Sequence, residues 1–215
     1  MTLSRRCRDI LLSTPEPGEA YRRCLAEIAA EGAAADYALT ETIAYGTEVR
    51  YAIGVLTNGP PERFWNFGDL RGDAEARLWP HLDALGELRV AFVGSGPYPV
   101  TALLLGRRYP RAEITCIDNN IAAHLLGEAV VKRTGMPIRS ELAAADEVDY
   151  GRFNAVILAA MVGGKLELAK KILGESGALV VLRGTVELRH PRLIQLESGF
   201  RDDGALAGAN GSAAR

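Results

Sequence analysis

Thiol and metal-binding signals are sparse in this sequence. Its three cysteines, Cys7, Cys24 and Cys116, form no CxxC pair and have no metal-ligand spacing, so they read as buried thiols of a reducing compartment. The three histidines, His81, His124 and His190, make neither HxH nor HExxH, and no metal site is expected. An apolar leader is missing as well. The opening MTLSRRCRDILLSTPEPGEAYR has no apolar stretch followed by a small-residue cleavage site. No run approaches the roughly 18 apolar residues that span a bilayer. The expectation is a cytoplasmic chain without a membrane partner. An excess of positive charge is also lacking: the net charge of −2 provides no basic field for a phosphate backbone, which argues against nucleic acid. Internal repeats and low-complexity linkers are absent.

What remains is an ordinary globular composition, 48% apolar and 24% charged, and the 215 residues suffice for one large domain or one domain with an extension. Two textures divide the chain, suggesting a helical segment over 1–87 and an α/β domain over 88–215. In the first, Tyr21, Cys24, Leu25, Ile28 and Ala29 recur on one helix face after the break at Pro15-Glu16-Pro17-Gly18. Thr40 to Leu56 forms a second amphipathic helix, closed by the turn at Asn58-Gly59-Pro60-Pro61. A third runs from about Asp73 to Leu85 and is kinked at Pro80.

Beyond Leu88, strands and helices alternate. Strands are expected at 88–93, 113–118, 136–140, 153–159 and 177–183, with helices at about 99–108, 121–134 and 166–173. This order implies a parallel, Rossmann-type sheet with right-handed crossovers and a ligand crevice beyond the carboxyl ends of its strands. After Arg183 the pattern weakens, and Ala205 to Arg215 reads as a frayed end.

The first strand runs into Gly94-Ser95-Gly96, where glycines permit a tight turn and close approach of a ligand. The full GxGxxG is absent because Pro97-Tyr98-Pro99 follows, and the two prolines remove N–H donors that a pyrophosphate would use. That favours a ligand without phosphates, S-adenosylmethionine in this context, over a nicotinamide dinucleotide. Asp118 closes the second strand, where a carboxylate can accept hydrogen bonds from both ribose hydroxyls; the alternative is a cap for the next helix by Asp118, Asn119 or Asn120. Ala145-Asp146, after the third strand, is the candidate adenine contact, or else a solvated loop carboxylate.

These segments resemble a family. Val90-Ala91-Phe92-Val93-Gly94-Ser95-Gly96-Pro97-Tyr98-Pro99 is similar to the first strand and turn of nicotianamine synthases, including their bacterial opine-metallophore relatives and related enzymes that cyclise S-adenosylmethionine to azetidine-2-carboxylate. Ile117-Asp118-Asn119 resembles the family's ribose segment. Ala155 to Gly163, with Ala159, Ala160 and Met161, resembles its fourth strand and following loop, and Gly177 to Arg183 its fifth strand. The resemblance spans about Leu88 to Arg189. It implies a class I S-adenosylmethionine-dependent methyltransferase-like α/β fold with an N-terminal helical segment. Its cofactor-type ligand is S-adenosylmethionine, used as substrate, and no metal takes part.

The family also carries a catalytic Glu and an aromatic motif ahead of the sheet. Phe64-Trp65-Asn66-Phe67 stands where that motif falls, and Glu41 lies at a suitable distance upstream. The match is weaker here. Phe67 has no hydroxyl, and Tyr37 or Tyr45 would have to restore one; plain surface or packing roles are the alternatives for Glu41, Tyr37, Tyr45, Trp65 and Phe67. The reaction implied is attack of an amine on Cγ of S-adenosylmethionine, releasing methylthioadenosine. The amine is either external, such as that of histidine, or the molecule's own, which closes azetidine-2-carboxylate. The short chain after the fifth strand and the altered aromatic motif favour cyclisation. Arg183 or a backbone group would hold the carboxylate. Small-molecule methyl transfer and a non-catalytic nucleoside-binding module are the competing readings. The partner is a small molecule, and the oligomeric state stays open, a homodimer being one option.

Overall fold

The computed structural model describes residues 2–31, 37–61 and 74–201. Three helices open the chain: α1 (Leu3–Ser13), α2 (Pro17–Ala30), with proline in its first turn where an N–H is not needed, and α3 (Tyr37–Asn58). They meet around Cys7, Tyr21, Cys24, Ile28, Ile43 and Ala44, the first of three cores. Cys7 and Cys24 face each other there, and burial pushes both thiols up, that of Cys24 to about 12, so neither is a nucleophile near neutral pH. Arg50 of α3 fastens the arrangement by donating to the carbonyls of Leu11 (2.8 Å), Thr14 (2.6 Å) and Pro15 (2.7 Å) at the end of α1.

A fourth helix, α4 (Ala74–Asp83), carries Pro80 inside it and leads into β1 (Arg89–Val93). There follow α5 (Val100–Arg108), β2 (Glu113–Asp118), α6 (Ile121–Thr134), β3 (Ile138–Leu142), β4 (Ala155–Leu158), α7 (Lys165–Glu175), β5 (Leu179–Thr185) and β6 (Leu193–Arg201). The six strands form one parallel sheet in the order β3-β2-β1-β4-β5-β6. Right-handed crossovers put α5 and α6 on one face and α7 on the other, because the strand order reverses between β1 and β4.

Alternation along the strands feeds the two faces. Val90, Phe92, Ile114, Cys116 and Ile157 pack under α5 and α6, together with Ala52 and Val55 from the second half of α3. Ala91, Val93, Ile117, Val156 and Leu158 pack under α7. Thus α3 belongs to two cores, its first half to the helical cluster and its second half to the sheet.

The five expected strands are all present, within a few residues of their predicted bounds. The sixth was not anticipated. Residues 186–192 return the chain so that β6 lies parallel to β5, held by Arg192, which donates to the carbonyls of Leu173, Ser176 and Ala178, and by Gln195, which accepts from the Val186 N–H (2.8 Å) and donates to the Leu188 carbonyl (2.9 Å). The expected frayed end, Ala205 to Arg215, lies outside the described residues. Among the described residues no helix is long and apolar enough to cross a membrane.

Candidate active site

Strand β1 ends at the point where the sheet order reverses, and the chain turns there through Gly94-Ser95-Gly96. The N–H groups of Gly94 (2.8 Å) and Ser95 (3.2 Å) both donate to the Ile117 carbonyl, and that of Gly96 to Asp118 Oδ2 (2.8 Å), so the turn hangs from the end of β2. Both glycines have left-handed backbones, with φ +71° at Gly94 and +69° at Gly96. Both are also closely approached. A Cβ on Gly94 would lie 2.5 Å from Val162 Cγ2, and one on Gly96 would lie 2.4 Å from Glu48 Oε2. The turn is therefore pressed between the loop after β4 and a carboxylate of α3.

The prolines behave as their chemistry requires. Pro99 occupies the cap position of α5 without a side-chain bond, and the first helical N–H, that of Val100, is taken by the Tyr98 carbonyl (2.7 Å). Neither Pro99 nor Val100 therefore offers an N–H to a phosphate at that helix end. Pro97 is buried and lies off the cavity wall. Tyr98 lines the cavity and stacks on Tyr51 of α3, with ring centroids 5.4 Å apart, while the Tyr51 hydroxyl donates to Glu16 (2.8 Å).

Asp118 is not the cap of α6. That position belongs to Asn120, whose side chain accepts from the N–H groups of Ala122 (3.0 Å) and Ala123 (3.1 Å). Asp118 instead accepts from Gly96 N–H through one oxygen and from Asn120 N–H (2.9 Å) through the other, leaving one lone pair on each for a ligand. Along the sheet edge, Tyr150 donates to the Ala145 carbonyl (2.7 Å) and Lys171 to that of Asp146, fixing the loop that carries Asp146.

These groups surround a cavity of about 830 Å³. Of the residues singled out in the sequence, Gly94, Ser95, Gly96, Tyr98, Asp118, Asn119, Ala145, Asp146, Ala159, Ala160, Met161 and Arg183 line it, as do Glu41 and Tyr45 on the exposed flank of α3. Tyr37 is the first residue of α3, and its side chain lies outside the described residues, as does the whole of Phe64-Trp65-Asn66-Phe67.

Sequence reasoning passed over Glu48. It stands seven residues after Glu41 on the same face of α3, and it, rather than Glu41, reaches the glycine turn. It is half-buried, with the cavity on its open side. Burial first, and then the charge of Asp118, pushes its carboxyl up to about 8 from the usual 4.5. A spacing of two helical turns between the two glutamates was the available signal. The same burial pushes the thiol of Cys116, behind the turn, up to about 12 and leaves it inert. Lys165, buried beneath the loop after β4, donates to the Ala160 carbonyl (2.6 Å) and fixes that wall.

Residues 75–193 match the sequence profile of the nicotianamine synthase protein family. Nicotianamine synthase 1 of Hordeum vulgare is 31% identical over 122 residues, which are 52% of this chain and 36% of that protein; the match thus spans about a third of the relative's length. Among solved structures, MtNAS in complex with MTA and tNA superposes with a TM-score of 0.50 at 18% identity, over 80% of this chain and 75% of that one. A mutant of MtNAS gives 0.50 at 17% identity over the same shares. They share its fold, a class I methyltransferase-like α/β sheet with helices ahead of it. With more than half of its length matched by the family profile, the chain belongs to the nicotianamine synthase family.

Proposed function

We propose that this protein binds S-adenosylmethionine in the cavity and directs an amine onto Cγ of its aminobutyrate chain, releasing methylthioadenosine. The observation that carries the reading is Glu48, a carboxylate pressed against the glycine turn and held near pH 8. A base of that strength is matched to an ammonium, whereas an ordinary carboxylate is too weak to take its proton efficiently. Asp118 accepts from the ribose hydroxyls, and Asp146 faces the adenine amino group. Arg183, on β5, pairs with the substrate carboxylate, and Tyr45 and Glu41 complete the helical wall. The helices of 1–87 act as the cap over the sheet domain of 88–215.

In the reacting step Glu48 takes a proton from the ammonium. The freed lone pair attacks Cγ, and the Cγ–S bond breaks with its electrons going to sulfur, turning the sulfonium into a neutral thioether. When the amine is the molecule's own, the products are methylthioadenosine and azetidine-2-carboxylate, with Glu48 left protonated. We favour this cyclisation. Cyclisation needs no second amino acid in the cavity, since one S-adenosylmethionine supplies both the attacking amine and the leaving group. Transfer to an external amine is the second reading, supported by the family membership and by a cavity of about 830 Å³ that extends to Tyr21 and Leu25 on α2.

Incubation with S-adenosylmethionine alone is expected to yield methylthioadenosine and azetidine-2-carboxylate in equal amounts. Glu48→Gln should lower the rate by at least a hundredfold. For the native enzyme, kcat/KM should climb about tenfold per pH unit up to about 8 and then level, because Glu48 must be ionised in the free enzyme. Methylthioadenosine appearing only after histidine is added would favour transfer. Adenosylhomocysteine as the sole nucleoside product would end both readings in favour of methyl transfer.

A further inference from the structure

The described cavity wall carries five carboxylates, Glu41, Glu48, Asp118, Asp146 and Glu167, against the two cations Lys171 and Arg183. This excess of negative charge is not spread evenly. Glu48 from α3 and Asp118 from β2 converge on the same glycine: Asp118 accepts the Gly96 N–H at 2.8 Å, and Glu48 Oε2 lies 2.4 Å from where a Cβ of Gly96 would be. The phenols of Tyr21, Tyr45 and Tyr98 face the cavity from the helices and the turn. Burial and the charge of Asp118 disfavour the ionised form of Glu48. A cation entering between the two carboxylates and the loop after β4 offsets that penalty.

We propose that the site filters ligands by charge: Glu48 releases a proton when a sulfonium enters beside Asp118 and takes one up when the sulfonium becomes a thioether. The inference rests on the reading of the cavity as a S-adenosylmethionine site and deepens it. The charges balance throughout. Before reaction, anionic Glu48 faces a sulfonium. Afterwards, protonated Glu48 faces neutral methylthioadenosine, and the proton has come from the substrate ammonium. Loss of the sulfonium thus raises the basicity of the group that must keep the proton, so the chemical step and the proton transfer pull in the same direction. The neutral product no longer has a cation to hold it among the carboxylates, and it leaves more readily than the substrate.

Titration calorimetry with two ligands that do not turn over tests this. Sinefungin carries an ammonium-bearing carbon in place of the sulfonium, and S-adenosylhomocysteine carries a neutral sulfur; the two share nucleoside, α-amine and carboxylate. Sinefungin is expected to bind roughly tenfold to a hundredfold more tightly at pH 8, as one charge pair several ångströms apart in a partly screened site allows. Its affinity should fall as the pH drops below 8, by no more in total than that preference, with a net proton release at pH 7 measured by repeating the titration in buffers of different ionisation heat. Adenosylhomocysteine, which keeps the α-ammonium but has no charge at sulfur, should show a smaller pH dependence and a smaller proton release. Glu48→Gln, with its folding checked by circular dichroism and a cooperative thermal transition, should lose both the proton release and most of the sinefungin preference. Equal affinities and equal pH profiles for the two ligands overturn the charge filter while leaving the ligand assignment intact. No binding of S-adenosylmethionine or of either analogue overturns both.

Discussion

Between pH about 4.5 and about 8 the native chain keeps on Glu48 a proton that the unfolded chain has released, because burial and Asp118 raise this carboxyl only in the fold. In that window the unfolded state binds fewer protons, so the contribution of Glu48 to stability declines as pH rises. It is complete below about 4.5 and lost by about 8. The site therefore holds a group that weakens the empty protein at the pH where it is most useful as a base. Glu48→Gln removes the ionisation and keeps the shape. It should raise the stability of the ligand-free protein at pH 8 by roughly 1–2 kcal/mol, a few degrees in Tm, and leave it little changed at pH 5. A variant less stable than the native protein at pH 8 would mean that the carboxylate is held by partners that favour its charge. The sequence hid this residue for a physical reason. Glu41 and Glu48 are equivalent by helical phase, and only the point along α3 that lies against the glycine turn decides which of them meets Gly96. The place of Asp118 was legible because a strand end beside the glycine turn follows from βαβ geometry alone, although its separation from the capping role depended on Asn120 taking the cap.

At the scale of elements, α3 is the member that joins the helical cluster to the chemistry. Its residues 48, 50 and 51 each face a different way: Glu48 to the glycine turn, Arg50 to the carbonyls ending α1, and Tyr51 to Tyr98. Arg50→Ala deprives three carbonyls of a charged donor and should cost roughly 1–3 kcal/mol in denaturant unfolding. Since the same bonds set the position of Glu48, release of methylthioadenosine should fall by more than the lost folded fraction explains, with Arg50→Lys restoring part of it. Loss of stability with full activity in the remaining folded protein would show that α3 is positioned by its apolar face alone. Elements of the sheet were readable to within a few residues, since apolar strands and helical periods alternate cleanly from Leu88 onward. Strand β6 was not. Its run Leu193-Ile194-Gln195-Leu196 is short, and its place beside β5 is specified by Arg192 and Gln195 reaching groups far along the chain.

For the whole molecule, the consequence is that the cavity spans cores of unequal size. The helical cluster around Cys7, Tyr21, Cys24, Ile28, Ile43 and Ala44 is small beside the two that sandwich the sheet, so it should open locally at a lower free energy than global unfolding. Yet α2 and α3 supply Tyr21, Leu25, Glu41, Tyr45 and Glu48 to the same wall as Asp118 and Arg183. A ligand that touches both sides must be released, or lose half its contacts, before the helices can open. Bound at a hundred times its Kd, it adds about 2.7 kcal/mol to any opening that expels it. Hydrogen exchange should therefore slow in Pro17–Ala30 and in the first half of α3 by up to about a hundredfold when adenosylhomocysteine or sinefungin is present, alongside the amides of the glycine turn. Sequence texture alone suggests a boundary near residue 87, but a boundary in texture says nothing of energetic coupling. Protection confined to the turn and to residues 118–120 would show that the helices stand apart from the ligand, and Glu48 would then lose its claim to the reacting amine. Protection of both regions with one shared dependence on ligand concentration would establish that cap and sheet close around the ligand as one cooperative site.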